Sequence, residues 1–385
     1  MAPRSPHETA RAILEACRAG RAAPRALLDS LVDSGSNALF SDLVEPLCDA
    51  FDPALCDAYT DLFSHVIRRS APGVVPRTPP AGGVDLDGVS EVWVLSRVTL
   101  GADVAVTSVL LDAVLKRFPE NRVRFVGPRK NYELFAAHPR IGFVPASYGR
   151  RATLAERLAA TPRATDPATL VVDPDSRLTQ LGLIAPCADS RHLHFPSRSY
   201  RPDSSRSLSE LASAWCRETL GIADARAFLA PEAEPALDRP GLVCVSLGTG
   251  ENPAKRLPDP FEQDLLRLLV RSGFEILIDY GAGGEEAERV DRAIAGSGAS
   301  AGQVHTWNGS FARFAASIAR ARLYIGYDSS GQHVAAASGV PLITVFTGYP
   351  NDRFLARWRP HGPGRIHVLT ARDPRPELER ILQTC

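Results

Sequence analysis

The chain has 385 residues, 44 basic and 44 acidic side chains and no formal net charge. At about 150 residues per domain its length predicts two to three domains, and a hydrophobic fraction of 44% excludes disorder as the main state. The charge balance excludes a broad polyanion-binding surface, no apolar run reaches the roughly 18–20 residues of a membrane span, and the N-terminus holds no signal-peptide core.

Residues 5–70 read as helices only. Ser5-Pro6-His7-Glu8 is a capping box with proline at the first helical position, and Gly20 closes that segment. Asp52-Pro53 starts another helix, in which Leu55, Tyr59, Leu62, Phe63, Val66 and Ile67 share one apolar face. Nothing in this stretch carries chemistry, which suits an accessory or oligomerisation domain. The prolines and glycines of 71–90 mark a linker. Strands are expected at Glu91–Ser96, Arg122–Val126 and Leu170–Val172, with helices at Val104–Arg117 and Ser207–Leu220. A second Pro-rich break covers 230–240. Strands then follow at Leu242–Leu247, Glu275–Ile278, Leu323–Tyr327 and Leu342–Phe346. Helices are expected near Phe261–Arg271, Glu285–Ala295, Gly331–Ala337 and Pro374–Gln383. Such alternation predicts two α/β halves with parallel, doubly wound sheets and a ligand cleft between them.

Three segments carry candidate chemistry. In the first half a Gly101-Ala102-Asp103 turn leads into a helix, so Asp103 is either a general base or a helix-capping aspartate. The second half opens with Ser246-Leu247-Gly248-Thr249-Gly250 and then Lys255, one of only three lysines in the chain. Hydroxyls, flexible backbone and a lone lysine after a buried strand suit phosphate oxygens, although the spacing is not that of a P-loop. Third, Asp328-Ser329-Ser330-Gly331-Gln332-His333 follows a strand and enters a helix of small residues. Its N-terminus aims N–H groups, hydroxyls and an imidazole at one point, an anion site by dipole and donors together. Asp173-Pro174-Asp175 matches a divalent-ion pattern too short to support a metal. There is no G-x-S-x-G elbow for hydrolase chemistry. The seven cysteines form no C-x-x-C pair, which suits reduced, buried thiols in a cytoplasmic protein.

Taken in order, VWVLSRVTLGADVAVTSVLL, LVVDPDSRLTQLGLI, VSLGTGENPAKRLPDPF and YIGYDSSGQHVAAASGVPLITVFTG resemble glycosyltransferase family 9, the heptosyltransferases. That resemblance implies a GT-B fold, two Rossmann-like domains facing a cleft, here with an added N-terminal all-helical domain. The implied organisation is a helical domain over 1–70, a linker over 71–90 and an acceptor-side domain over 91–235. A nucleotide-sugar-binding domain over 236–365 and a closing strand and helix over 366–385 complete it. By position Asp103 is similar to the family's catalytic base and Lys255 to its diphosphate-binding lysine. Thr249, Gly250, Asp328, Ser329, Ser330, Gly331 and His333 fall in the donor-binding segments. Ala102 is interposed in the Gly-Asp turn, and Thr179 and Gln180 stand where the family often has Lys-Ser, a change that alters sugar or acceptor recognition. The resemblance implies inverting, metal-independent transfer of a heptose or related hexose from an ADP- or GDP-linked donor to a hydroxyl acceptor. No cofactor, nucleic acid or metal is expected, and the helical domain is a candidate for self-association. The acceptor is left open between lipopolysaccharide, a natural product and a protein. Alternatives from other classes are a nucleotide-sugar epimerase or hydrolase and a non-catalytic binding homologue.

Overall fold

A computed structural model describes residues 4–77, 83–149, 151–233, 241–250, 252–281 and 283–383. Part of the expected linker (78–82), most of the break at 230–240 and Cys385 lie outside these residues. Helices occupy Pro6–Arg18, Arg25–Asp33 and Pro53–Ser70, and a further stretch winds wide over Leu39–Val44 before tightening at Glu45–Asp49. Ser5 and Glu8 form the expected capping box, and Asp52 caps the helix that begins at Pro53.

The apolar faces of these helices pack within the chain. Ile13, Leu28, Leu43, Phe63 and Ile67 share one core with Leu154, Leu158, Leu181, Leu183 and Ile184 of the first α/β half. Burial of such side chains contributes roughly 1.5–3 kcal/mol each, so the five aliphatic groups suffice to hold the helices on the α/β body. A second attachment reaches the other half. The Phe51 ring meets Phe354 and Trp358 edge-on at 6.3 and 6.2 Å, and Arg353 donates to the Phe51 carbonyl at 2.8 Å.

The remaining chain builds two parallel sheets. Strands β1 Glu91–Leu95, β2 Arg122–Gly127, β3 Ile141–Pro145, β4 Thr169–Asp173 and β5 His192–His194 form the first, in the order β3-β2-β1-β4-β5. The second comprises β6 Val243–Ser246, β7 Ile276–Asp279, β8 Val304–Trp307, β9 Leu323–Tyr327, β10 Leu342–Val345 and β11 Ile366–Leu369, in the order β11-β10-β9-β6-β7-β8. Both are doubly wound, and their order reverses between β1 and β4 and between β6 and β9. Ligands of such sheets bind outside the carboxyl ends of the strands at that reversal. The central strands are covered on both faces and rich in apolar residues: every position of β4 and β9 is buried. β3, β5 and β8 were not foreseen, and β11 was expected only as an unlocated strand beyond 366. These four are the sheet edges, where partial cover removes the need for a continuous apolar run.

Candidate functional site

All four strand ends at the two reversals open onto one cavity of about 380 Å³. The turn after β1 supplies Arg97, Thr99, Gly101 and Ala102, and the loop after β4 supplies Arg177. From the second half come Thr249, Gly250 and Lys255 after β6, and Asp328, Ser329, Ser330 and His333 after β9. The halves nearly touch there. A Cβ on Gly101 would lie 3.3 Å from both the Ser330 Cα and the His333 ring, so only a glycine leaves the cleft this narrow.

Helix Ser330–Ala337 begins at the cavity. Ser329 occupies its N-cap in extended backbone without a side-chain capping bond, leaving the first-turn N–H groups aimed at the cleft with the positive end of the helix dipole. The helix sits low because Gly331 lies on the Tyr324 ring: an added Cβ would come within 2.2 Å of the phenol oxygen. Gly331 therefore acts beneath the cavity rather than in its wall.

Lys255 Nζ donates to Asp328 Oδ2 at 2.6 Å, and its ammonium lies 5.6 Å from the Phe354 ring centre. The other Asp328 oxygen accepts from Gln332 Nε2 at 2.6 Å, while Gln332 Oε1 accepts from Thr344 at 2.9 Å. This buried relay fixes the carboxylate, and the carboxylate fixes the lysine. Asp328 thus holds the Lys255 ammonium in place in the cavity wall. His333 is 6% exposed and packs 5.9 Å from Trp358. Burial, reinforced by Lys255 and opposed by Asp328, pushes its pKa down to about 4, so the imidazole is neutral at pH 7.

Asp103 departs from both roles expected of it. The helix begins at Leu100 with Thr99 at its N-cap, and winds wide over Asp103–Thr107 before continuing to Arg117. Asp103 is 0% exposed and does not line the cavity. Its Oδ1 accepts from the Arg97 backbone N–H at 2.7 Å and from Thr107 at 2.6 Å. Its Oδ2 accepts from Ser96 and Asn131, both at 2.6 Å. Burial raises its pKa against these four bonds. A carboxylate enclosed this way holds the β1 turn, where Val98 is forced to φ +77°, a conformation costing a β-branched residue about 1–3 kcal/mol. That turn presents Arg97, whose guanidinium is tied to Ser197 and donates to the Pro174 carbonyl at 2.9 Å.

Thr179 and Gln180 likewise lie inside, not at a recognition surface. Thr179 bonds Asp173 at 2.6 Å, and the Gln180 carbonyl accepts from Tyr59 at 2.9 Å. Asp175 is engaged by Arg198 at 2.8 Å, a buried ion pair in place of a metal ligand. Cleft residues missed in the sequence are Arg97, Arg177, Asp49, Phe354 and Trp358. An arginine directly after a β1-type strand was a usable signal; Asp49, 42 positions before β1 begins (91 − 49), gave none.

Residues 214–382 match the family model described as glycosyltransferase family 9 (heptosyltransferase). A comparison with curated proteins finds no match. Among solved structures, a glycosyl transferase family 9 protein from Veillonella parvula aligns with a TM-score of 0.54 at 18% identity, covering 78% of this chain and 91% of that one. E. coli heptosyltransferase WaaC with ADP aligns at 0.54 and 16% identity, covering 76% and 99%. E. coli ADP-heptose lps heptosyltransferase II gives 0.51 and 14%, again covering 76% and 99%. At these identities the structures show the shared GT-B fold. No helix among the described residues is long and apolar enough to cross a membrane. The chain is of GT-B fold, and over residues 214–382 it is similar to glycosyltransferase family 9, which supports a glycosyltransferase.

Proposed function

We propose that the chain transfers a heptose or related hexose, with inversion, from an ADP- or GDP-linked donor to a hydroxyl acceptor. The observation that carries this reading is the convergence of Lys255, Thr249, Gly250 and the N-terminus of helix Ser330–Ala337 on one cavity. Two phosphates need several donors and positive charge at one point, and a helix N-terminus beside an ammonium supplies both. The WaaC structure with ADP supports a nucleoside diphosphate as the leaving group. As the bond from the anomeric carbon to the diphosphate breaks, the charge on the leaving oxygen is met by Lys255 and the Ser329–Ser330 backbone. Neutral His333 donates a hydrogen bond without adding charge. Arg97 and Arg177 add two further cations to the cavity wall, so positive charge is available there without a divalent ion. Asp103 acts from beneath, by holding the turn that carries Arg97.

Calorimetry with ADP and GDP tests the reading. The better-bound nucleotide should lose roughly tenfold or more in affinity in Lys255→Ala, since one charge-assisted contact contributes about 1.5–3 kcal/mol. Unchanged affinity removes Lys255 from the diphosphate site. With ADP-heptose and GDP-mannose, product release that depends on an acceptor and persists in EDTA is expected. Nucleotide release independent of acceptor would favour an epimerase or hydrolase instead.

A further inference from the structure

The cavity continues into a second one of about 1030 Å³, between the N-terminal helices and the second α/β half. Asp49, Thr249, Lys255 and Phe354 line both spaces, so they mark the junction. Of the four, only Asp49 comes from the helical segment, and only Asp49 can accept a proton. It ends the stretch Glu45–Asp49, and its surroundings fix it from both sides. On the N-terminal side Glu45 accepts from Arg177 at 3.1 Å. On the C-terminal side Phe51, itself at φ +51°, is locked between Phe354 and Trp358 and held by Arg353. Among the described residues no hydrogen bond occupies the Asp49 carboxylate, in contrast to the four that enclose Asp103.

Resting on the transferase reading above, the geometry points to Asp49 as the catalytic base, and to the second cavity as the seat of a hydrophilic, hydroxyl-rich acceptor. The cavity lining fits such a molecule, with Arg18, Ser41, Glu45, Asp52, Asn252 and Arg353 offering charged and polar groups. A hydroxyl at the junction gives its proton to the Asp49 carboxylate, and the freed oxygen electron pair forms the bond to the anomeric carbon. The bond from that carbon to the diphosphate breaks in the same step, its electron pair leaving on the phosphate oxygen beside Lys255. Asp49 then returns the proton to water. Burial raises the Asp49 pKa, with Glu45 acting in the same sense and Arg177, Lys255 and Arg97 opposing. That direction makes the carboxylate a stronger base than a solvated one. The helical segment is on this view a third wall of the active site, which explains its attachment to both α/β halves.

The test uses the full chain and its Asp49→Asn and Asp49→Glu variants, with ADP-heptose and GDP-mannose as donors and methyl glycosides of glucose, galactose and mannose as acceptors. Nucleotide release is read by chromatography. Asp49→Asn should lower kcat by ~10²–10⁴-fold, with ADP and GDP binding and the melting temperature unchanged, and Asp49→Glu should recover part of the rate. Turnover within tenfold of the unaltered chain, or a loss confined to nucleotide binding, would overturn the role of Asp49 and leave the transferase reading standing. Failure of the unaltered chain to release nucleotide from either donor would overturn both.

Discussion

Replacing Asp103 with alanine separates a scaffold from a base. The substitution leaves four donors facing an apolar methyl group: Ser96 Oγ, Thr107 Oγ1, the Arg97 N–H and Asn131 Nδ2. The two hydroxyls can rotate towards other acceptors; the backbone N–H and the amide cannot. Asn131 is already short of a partner, since its Oδ1 is buried and unbonded. Each stranded buried donor costs about 1–3 kcal/mol, and the turn also loses the anchor that holds Val98 at φ +77°. The sum is ~3–5 kcal/mol, a large share of the ~5–15 kcal/mol by which domains are usually stable. For a domain of this size that lowers the melting temperature by on the order of 10 °C. Asp103→Asn keeps the volume and two acceptor bonds, and its amide can face Asn131 Oδ1 after a side-chain flip, so it should cost only ~1 kcal/mol. Thermal and urea unfolding of the three proteins, followed by circular dichroism, gives the comparison. An alanine variant that melts with the unaltered chain yet has lost turnover would refute the scaffold argument and return Asp103 to the chemistry.

Gly331→Ala forces a methyl group to within 2.2 Å of the Tyr324 phenol, and that ring is fully buried. Overpacking of this kind costs about 1–3 kcal/mol. Because helix Ser330–Ala337 must lift off the sheet, nucleotide affinity should fall with stability, which calorimetry and melting together check. The pH dependence of stability should carry a contribution from His333. Its folded pKa of about 4 lies below the ordinary histidine value of 6.5, so the unfolded chain binds the proton more readily between these values. Stability is then fully present above pH 6.5 and is lost as pH falls towards 4, by on the order of 3 kcal/mol. Melting curves from pH 7 to 4 should fall less steeply for His333→Gln, and parallel curves would dismiss the contribution.

The local character of the chain was legible where one residue's neighbours in sequence are also its neighbours in space. Ser5 with Glu8, and Asp52 before Pro53, capped helices as read. Central strands such as Leu323–Tyr327 declared themselves because both faces are covered and the run is rich in apolar residues. The position of the Thr249–Lys255 loop and of the Asp328–His333 turn at the cleft was readable for a related reason: each follows a buried strand directly, and strand ends at a sheet reversal are where ligands bind. Three edge strands escaped because an edge needs no continuous apolar run, and three-residue β5 carries two histidines.

What only the tertiary structure decided is where each carboxylate faces. Asp103, the residue the local pattern favoured, turns inward to four donors, because the wide helical turn at 103–107 and Asn131 from another segment close over it. Asp49, in a stretch without any chemical signature, reaches the cleft because Phe51 and Arg177 tie the helical segment to partners about 300 and 130 positions away. Composition foretold neither, since both aspartates contribute the same single charge. The opening balance of 44 against 44 leaves room for a local site, and Lys255, Arg97 and Arg177 line one cavity. Sequence sets which groups are available and how the backbone winds locally; packing over long separations sets which of them meet a substrate.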